Sequence, residues 1–152
     1  LAEGYKGAFQ ALRAEGAVEE PLFDGIAELI DTLAADGWLL GVATGKSQRG
    51  LALCLEAHGL AGRFVTLQTA DLHPSKPHPS MIETAMAEAG AAPETTLMIG
   101  DTSYDMAMAR AAGAAAIGAL WGYHGADELL GAGAHHVVAF PRDIIALTRT
   151  LA

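Results

Sequence analysis

The chain has one cysteine, nine Lys and Arg residues against 18 Asp and Glu, and no apolar run approaching the thickness of a bilayer. Each shortage narrows what the protein can be. With Cys54 alone, no disulfide can form within the chain, and nothing in the composition demands an oxidising compartment. Cys54 shares a helical face with Leu51, Leu55 and His58, so it reads as a buried thiol rather than a reactive one. A formal net charge of −9, with the basic residues scattered, argues against nucleic acid or an acidic membrane as a partner, since phosphate-rich surfaces demand clustered cations. A membrane span needs about 18 consecutive apolar residues, and no basic-then-apolar leader is visible either. The expected location is the cytoplasm.

What is present points to an α/β fold. The 152 residues amount to one domain, and the 51% hydrophobic content comes heavily from Ala and Gly, which suits close packing of helices on a sheet. Ile26, Leu29, Ile30 and Leu33 repeat at helical spacing, and Asp36-Gly37 ends that helix. From there apolar strands alternate with helices. Strand 38–43 precedes helix 47–58, and strand 64–68 leads through a Pro-rich loop to helix 79–89, with Pro79 in its first turn. Strand 96–99 precedes helix 104–112, which Gly113 ends. Strand 115–120, a short helix 126–130, strand 137–139 and helix 141–151 complete the chain. This alternation predicts βαβ units and a doubly wound parallel sheet.

Three polar clusters interrupt the pattern, each at a strand end or in the loop beyond it. The run Thr96-Leu97-Met98-Ile99-Gly100 stops at Asp101, with Asp105 four positions on. In an open parallel sheet, ligands bind outside the carboxyl ends of strands, and paired carboxylates repel unless a cation lies between them. Hard oxygen donors of this kind suit Mg2+. The plainer alternative is that Asp101 caps the helix that follows. Thr44-Gly45-Lys46-Ser47 offers a hydroxyl and backbone N–H groups at a helix start, which makes an anion site. It is not a nucleotide P-loop, because that motif needs Gly at position 40, where Leu40 stands. Lys46 is expected in solvent or at a substrate rim. Lys76, in Ser75-Lys76-Pro77-His78-Pro79, is a compact cation in a loop stiffened by prolines. His58, His73, His124, His135 and His136 lack the spacing of a zinc site.

These three clusters, in this order, resemble those of the haloacid dehalogenase-like hydrolases, and most closely the phosphoglycolate phosphatase-like branch. The resemblance runs from about Pro21 to Ala152. It implies a Rossmann-like core in which Thr44 and the Gly45 amide hold a phosphoryl group, with Lys46 at the substrate rim. Lys76 neutralises charge, and Asp101 binds Mg2+ with Asp105 as a second ligand or as the carboxylate that orients Lys76 or a metal-bound water. It also implies a small phosphorylated metabolite as substrate and places Trp121-Gly122-Tyr123-His124 near the rim.

One family feature is missing. Members open with a strand ending in Asp-x-Asp-Gly-Thr, which supplies the nucleophile and the general acid/base, and no Asp-x-Asp occurs in this chain. Phe23-Asp24-Gly25 lacks the preceding strand and second acid, so Asp24 is expected to cap the helix from Ile26 instead. Leu1, Tyr5, Ala8, Phe9 and Leu12 fall at helical spacing, with Gly16 as a stop. Residues 1–20 therefore read as the remnant of a helical cap, and residues 21–152 as a core lacking its central first strand. The chain begins at Leu1, so it reads as the downstream part of a longer protein. The gap in the sheet is expected to be filled by an upstream segment or by another copy. Two functions follow: a Mg2+-dependent phosphomonoester hydrolase in the longer parent, with this chain alone inactive, or a non-catalytic phosphate-binding, metal-binding or interaction module.

Overall fold

A computed structural model describes residues 5–12, 25–122 and 124–151. Six parallel strands form one sheet in the order β3-β2-β1-β4-β5-β6. The strands are β1 (Tyr5–Leu12), β2 (Leu39–Thr44), β3 (Thr66–Gln68), β4 (Ala91–Gly100), β5 (Ala115–Ala119) and β6 (His136–Val138). Between them run α1 (Ile26–Ala35), α2 (Gln48–Ala57), α3 (Ser80–Ala89), α4 (Ser103–Ala112) and α5 (Ala126–Gly131), with α6 (Pro141–Leu151) last. No helix among the described residues is long and apolar enough to cross a membrane.

The two faces of the sheet are covered by different chemistry. Ile26, Leu29, Ile30 and Leu33 of α1, Leu51 and Leu55 of α2 and Ile144 of α6 join Leu40, Val42, Leu97, Ile99 and Ile117 in one cluster. On the opposite face Met81, Ile82 and Met86 of α3, Met106 and Met108 of α4 and Leu129 of α5 meet Ala43, Met98 and Ala116. Successive residues of β4, Leu97, Met98 and Ile99, thus fall in alternate clusters, as the two-residue period of a strand requires. A sheet covered on both faces reads as continuous apolar runs, which is why β2 and β4 were visible in the sequence.

The first segment departs from expectation. Residues 5–12 form a strand, not a helix, and this strand occupies the central slot between β2 and β4 that the sequence left open. Gly7 to Leu12 pair with Leu39 to Thr44 on one side, and Gly7 to Gln10 with Thr96 to Ile99 on the other. The apolar spacing of this segment allowed a helix, but two flanking parallel strands offer its backbone hydrogen-bond partners on both edges, and tertiary context overrides so weak a local preference. The cap-remnant reading is therefore withdrawn for Tyr5–Leu12, and the core is not missing its central strand. The remaining cap residues, the Gly16 stop and Asp24 lie outside the described residues. The cap of α1 is Gly25, in the left-handed region at φ 89°, without a side-chain hydrogen bond.

Elsewhere the boundaries moved by a few residues. Pro79 is the N-cap of α3 rather than its first residue, and Thr102, not Asp101, caps α4. Leu29 is 2% exposed and Leu53 of α2 is 42% exposed. Leu29→Ala should therefore cost about 2–5 kcal/mol by leaving a cavity, and Leu53→Ala less than about 0.5 kcal/mol. Equilibrium denaturant unfolding reads both, and equal costs would contradict the assigned core.

Candidate active site

The strand order reverses direction between β1 and β4, which is where an open parallel sheet makes a crevice at its carboxyl edge. Gln10 pairs with both Val42 and Ile99, and Leu12 pairs with Thr44. Two residues beyond these partners lie Thr44 and Asp101. Both therefore stand at the level of Leu12, with β1 between them, about 10 Å apart at the ordinary spacing of strands.

Asp105 is the organising residue. Its side chain is 1% exposed, and Oδ1 accepts from Lys76 Nζ at 2.6 Å, closing an ion pair in which Lys76 is 14% exposed. Oδ2 accepts from the Thr102 hydroxyl at 3.0 Å and the Thr102 amide at 3.3 Å. In return the Asp105 amide donates to Thr102 Oγ1, so the two residues form a capping box for α4. Both carboxylate oxygens are thereby engaged. Of the roles left open by the sequence, this geometry matches the carboxylate that orients Lys76. The pair also explains a glycine: a Cβ at Gly100 would fall on the Asp105 side chain, closer than atoms can approach.

Asp101 sits beside it, at the tip of β4. Its carbonyl accepts from the His124 amide at 3.0 Å, while His124 Nδ1 accepts from the Ser103 amide at 2.9 Å. These opposed bonds join the acidic loop to the loop after β5. A Cβ at Gly122 would collide with the Asp101 carboxylate, so this position admits no side chain. The His124 ring also lies 6.3 Å from that of Tyr104, tilted by 53°. Gly122 and His124 thus border the acidic loop, Trp121 packs against the core cluster of α1 and α2, and Tyr123 lies outside the described residues. Among the described residues no three His, Cys, Asp or Glu side chains converge into a metal-binding group. Mg2+ commonly takes only one or two protein carboxylates, and the oxygen donors here fit that habit.

The Thr44 cluster is built differently from expectation. Thr44 is fully buried and its Oγ1 accepts from the Lys46 amide at 3.1 Å. The cap of α2 is Ser47, whose hydroxyl accepts from Gly50 N at 3.0 Å, so capping does not account for Thr44. The Gln48 amide at the helix start donates to Asp71 Oδ2 at 2.7 Å, so part of the helix N-terminus already holds a carboxylate of this chain. Gly45 is exposed, and Lys46 is buried at 7% exposure rather than solvated. The long Lys stem reaches its low exposure in a loop that also receives the Ala70 amide on the Lys46 carbonyl.

Sequence reasoning placed Thr44, Lys76, Asp101 and Asp105 at one edge, where they are found. It did not single out Thr102, Gly100 or the positioning contact of His124. The spacing Thr102 to Asp105 carries a capping signature that could have been read; the glycine contacts could not, since they join residues distant in sequence or on different turns.

Residues 5–119 match the haloacid dehalogenase-like hydrolase family, and the chain belongs to it. The chain is 44% identical over 110 residues to the Probable phosphatase IndB of Dickeya dadantii, covering 71% of this chain and 47% of that protein. It is 35% identical over 114 residues to the phosphoglycolate phosphatase of Xylella fastidiosa, strain 9a5c, covering 74% of this chain and 49% of the other. A solved hydrolase from Pseudomonas syringae superimposes with a TM-score of 0.77 at 30% identity, covering 86% of this chain and 60% of that one. The chain spans about half the length of the curated relatives it matches.

Lys76→Met should destabilise the fold by about 3 kcal/mol, because it leaves the buried Asp105 without its cation. Asp105→Asn should also destabilise, and the double variant should cost clearly less than the sum in a thermal or denaturant cycle. Gly122→Ala should cost about 1–3 kcal/mol through its clash with Asp101. Gly131, at the end of α5, has nothing within 4 Å of an added Cβ. Gly131→Ala should accordingly be neutral or slightly stabilising in the same measurement.

Proposed function

We propose that this chain carries the phosphate- and metal-binding part of a phosphoglycolate phosphatase-like phosphomonoester hydrolase, acting on a small phosphorylated metabolite. The observation that carries the reading is the Lys76–Asp105 pair, locked at 2.6 Å against the strand tip that bears Asp101. Family membership and relatives named as phosphatases support it.

In this reading Asp101 is the carboxylate for Mg2+, and Asp105 holds Lys76 in place rather than competing for the ion. Bound Mg2+ would neutralise charge on the transferring phosphoryl group. Thr44 and the Gly45 amide bind phosphoryl oxygens, and Lys46 contributes positive charge behind them. Lys76 balances the negative charge where nucleophile and phosphoryl group meet. In this reading the nucleophile would be a carboxylate of a longer parent rather than of β1, and its oxygen would bond to phosphorus as the ester oxygen departs with a proton. Water then cleaves the acyl phosphate and restores the carboxylate.

A second reading has its own support. The residue of the central strand that pairs with Thr44 is Leu12, and among the described residues of that strand, Tyr5–Leu12, none is an Asp. A chain built this way binds phosphate without turning an ester over.

The readings separate on two measurements. Residues 1–152 should bind inorganic phosphate more tightly with Mg2+ present, lose that effect in Asp101→Ala, and release no phosphate from p-nitrophenyl phosphate. The longer parent should hydrolyse that ester only with Mg2+, and Asp101→Ala should slow it by two or more orders of magnitude. Parent turnover that Asp101→Ala leaves unchanged would refute the hydrolase reading, and turnover by the isolated chain would refute its inactivity.

A further inference from the structure

The loop that carries Lys76 begins after β3 and ends at the first residue of α3, and it is closed by side chains that the phosphate chemistry does not use. His73 lies three residues before Lys76 and Ser80 four residues after. His73 Nδ1 is 2.6 Å from Ser80 Oγ, and His73 Nε2 is 2.7 Å from Gln68 Oε1. Gln68 is 2% exposed at the end of β3, and its amide nitrogen donates to Thr66 Oγ1 at 2.8 Å and to Glu88 Oε1 at 3.0 Å. The Thr66 hydroxyl also donates to Glu88 Oε1, at 2.6 Å.

The directions of these bonds are fixed by chemistry. An amide whose nitrogen faces Glu88 and Thr66 presents only an acceptor to His73, so His73 Nε2 donates. In the neutral ring Nδ1 then accepts from the Ser80 hydroxyl. Donors and acceptors therefore run one way, from Ser80 through His73 and Gln68 to the carboxylate of Glu88 in the last turn of α3. Inside the closure the His78 amide donates to the Ser75 carbonyl at 3.1 Å, and the Ser80 amide donates to His78 Nδ1 at 3.1 Å. Lys76 is thus the crest of a turn pinned at both feet.

We infer that His73 is a positioning residue for Lys76. By joining Ser80 to Gln68 it holds the turn at the height at which the ammonium meets Asp105. The inference rests on the reading of Lys76 as a phosphoryl clamp only for its functional weight, because the brace itself is measured on Lys76. Displacement of such a group by about an ångström is enough to lower catalysis sharply, so rigidity here has a purpose beyond stability.

Selective acylation of lysine amines tests it. The chain has three lysines, Lys6, Lys46 and Lys76, so peptide mass spectrometry after brief treatment with acetic anhydride reads each separately. In His73→Ala the Lys76 rate, normalised to Lys6, should rise roughly tenfold, the population change expected when about one net hydrogen bond is lost. Affinity for inorganic phosphate with Mg2+ should fall in step. Ser80→Ala, at a helix position that tolerates Ala, should shift Lys76 in the same direction and decides the matter if His73→Ala does not fold. An unchanged Lys76 rate, or an equal rise at all three lysines, would overturn the inference. A Lys76 rise with unaltered phosphate affinity would uphold the brace and count against the phosphate reading.

Discussion

The ion pair of Lys76 and Asp105 is the constraint around which the carboxyl edge of the sheet is arranged. A carboxylate with 1% exposure is costly to hold ionised, and here it is met by an ammonium on one oxygen and by an amide and a hydroxyl on the other. Satisfying both oxygens fixes three things at once. It sets the start of α4 through Thr102, ties the loop before α3 to the loop after β4, and requires Gly100 to have no side chain. Such a pair adds little net stability over an apolar substitute, so its value here is geometric. It brings a cation to the tip of β4, next to Asp101.

Asp101 is held by a second, independent arrangement. Its backbone is tied to His124, its side chain packs against Gly122, and Ser103 beside it donates to the His124 ring. The acidic loop is thus clamped from the β5 side as well as from the α3 side. Neighbouring carboxylates with different surroundings take different work, one buried and fully engaged by this chain, the other half-exposed at the edge. Asp105 serves the lysine, and the proposed role toward an ion or substrate falls to Asp101.

The sheet beneath explains how these loops hold position. All five methionines lie in the cluster that packs α3, α4 and α5 on one face, and the opposite face is filled mainly by Leu, Ile and Val. Methionine adapts to irregular gaps, which suits the close approach of small Ala surfaces under α4, which carries Asp105, and α3, which follows the Lys76 loop. Between β2 and β4, β1 completes the hydrogen bonding of both neighbours, so the levels of Thr44 and Asp101 are set by a shared register. At the end of that strand Leu12 pairs with Thr44.

Much of this was legible in order. β2 and the second half of β4 were apolar runs, α1 had clear helical periodicity, and Thr44, Lys76, Asp101 and Asp105 stood out as polar groups at the ends of those runs or in the loop beyond a strand. Tyr5–Leu12 was misread because eight residues with mixed Ala, Gly and aromatic content satisfy a helical spacing as readily as a strand, and only the vacancy between two parallel neighbours chooses. Lys46 was placed in solvent or at a substrate rim because composition says nothing of how a loop folds over its stem. Sequence by itself determined the alternating α/β plan and the kinds of groups at the strand ends, since both follow from local periodicity and residue chemistry. Only the tertiary structure decided which oxygen of Asp105 meets Lys76, why Gly100 and Gly122 must be glycine, and which segment lies at the centre, because each depends on residues far apart in the chain meeting at contact distance.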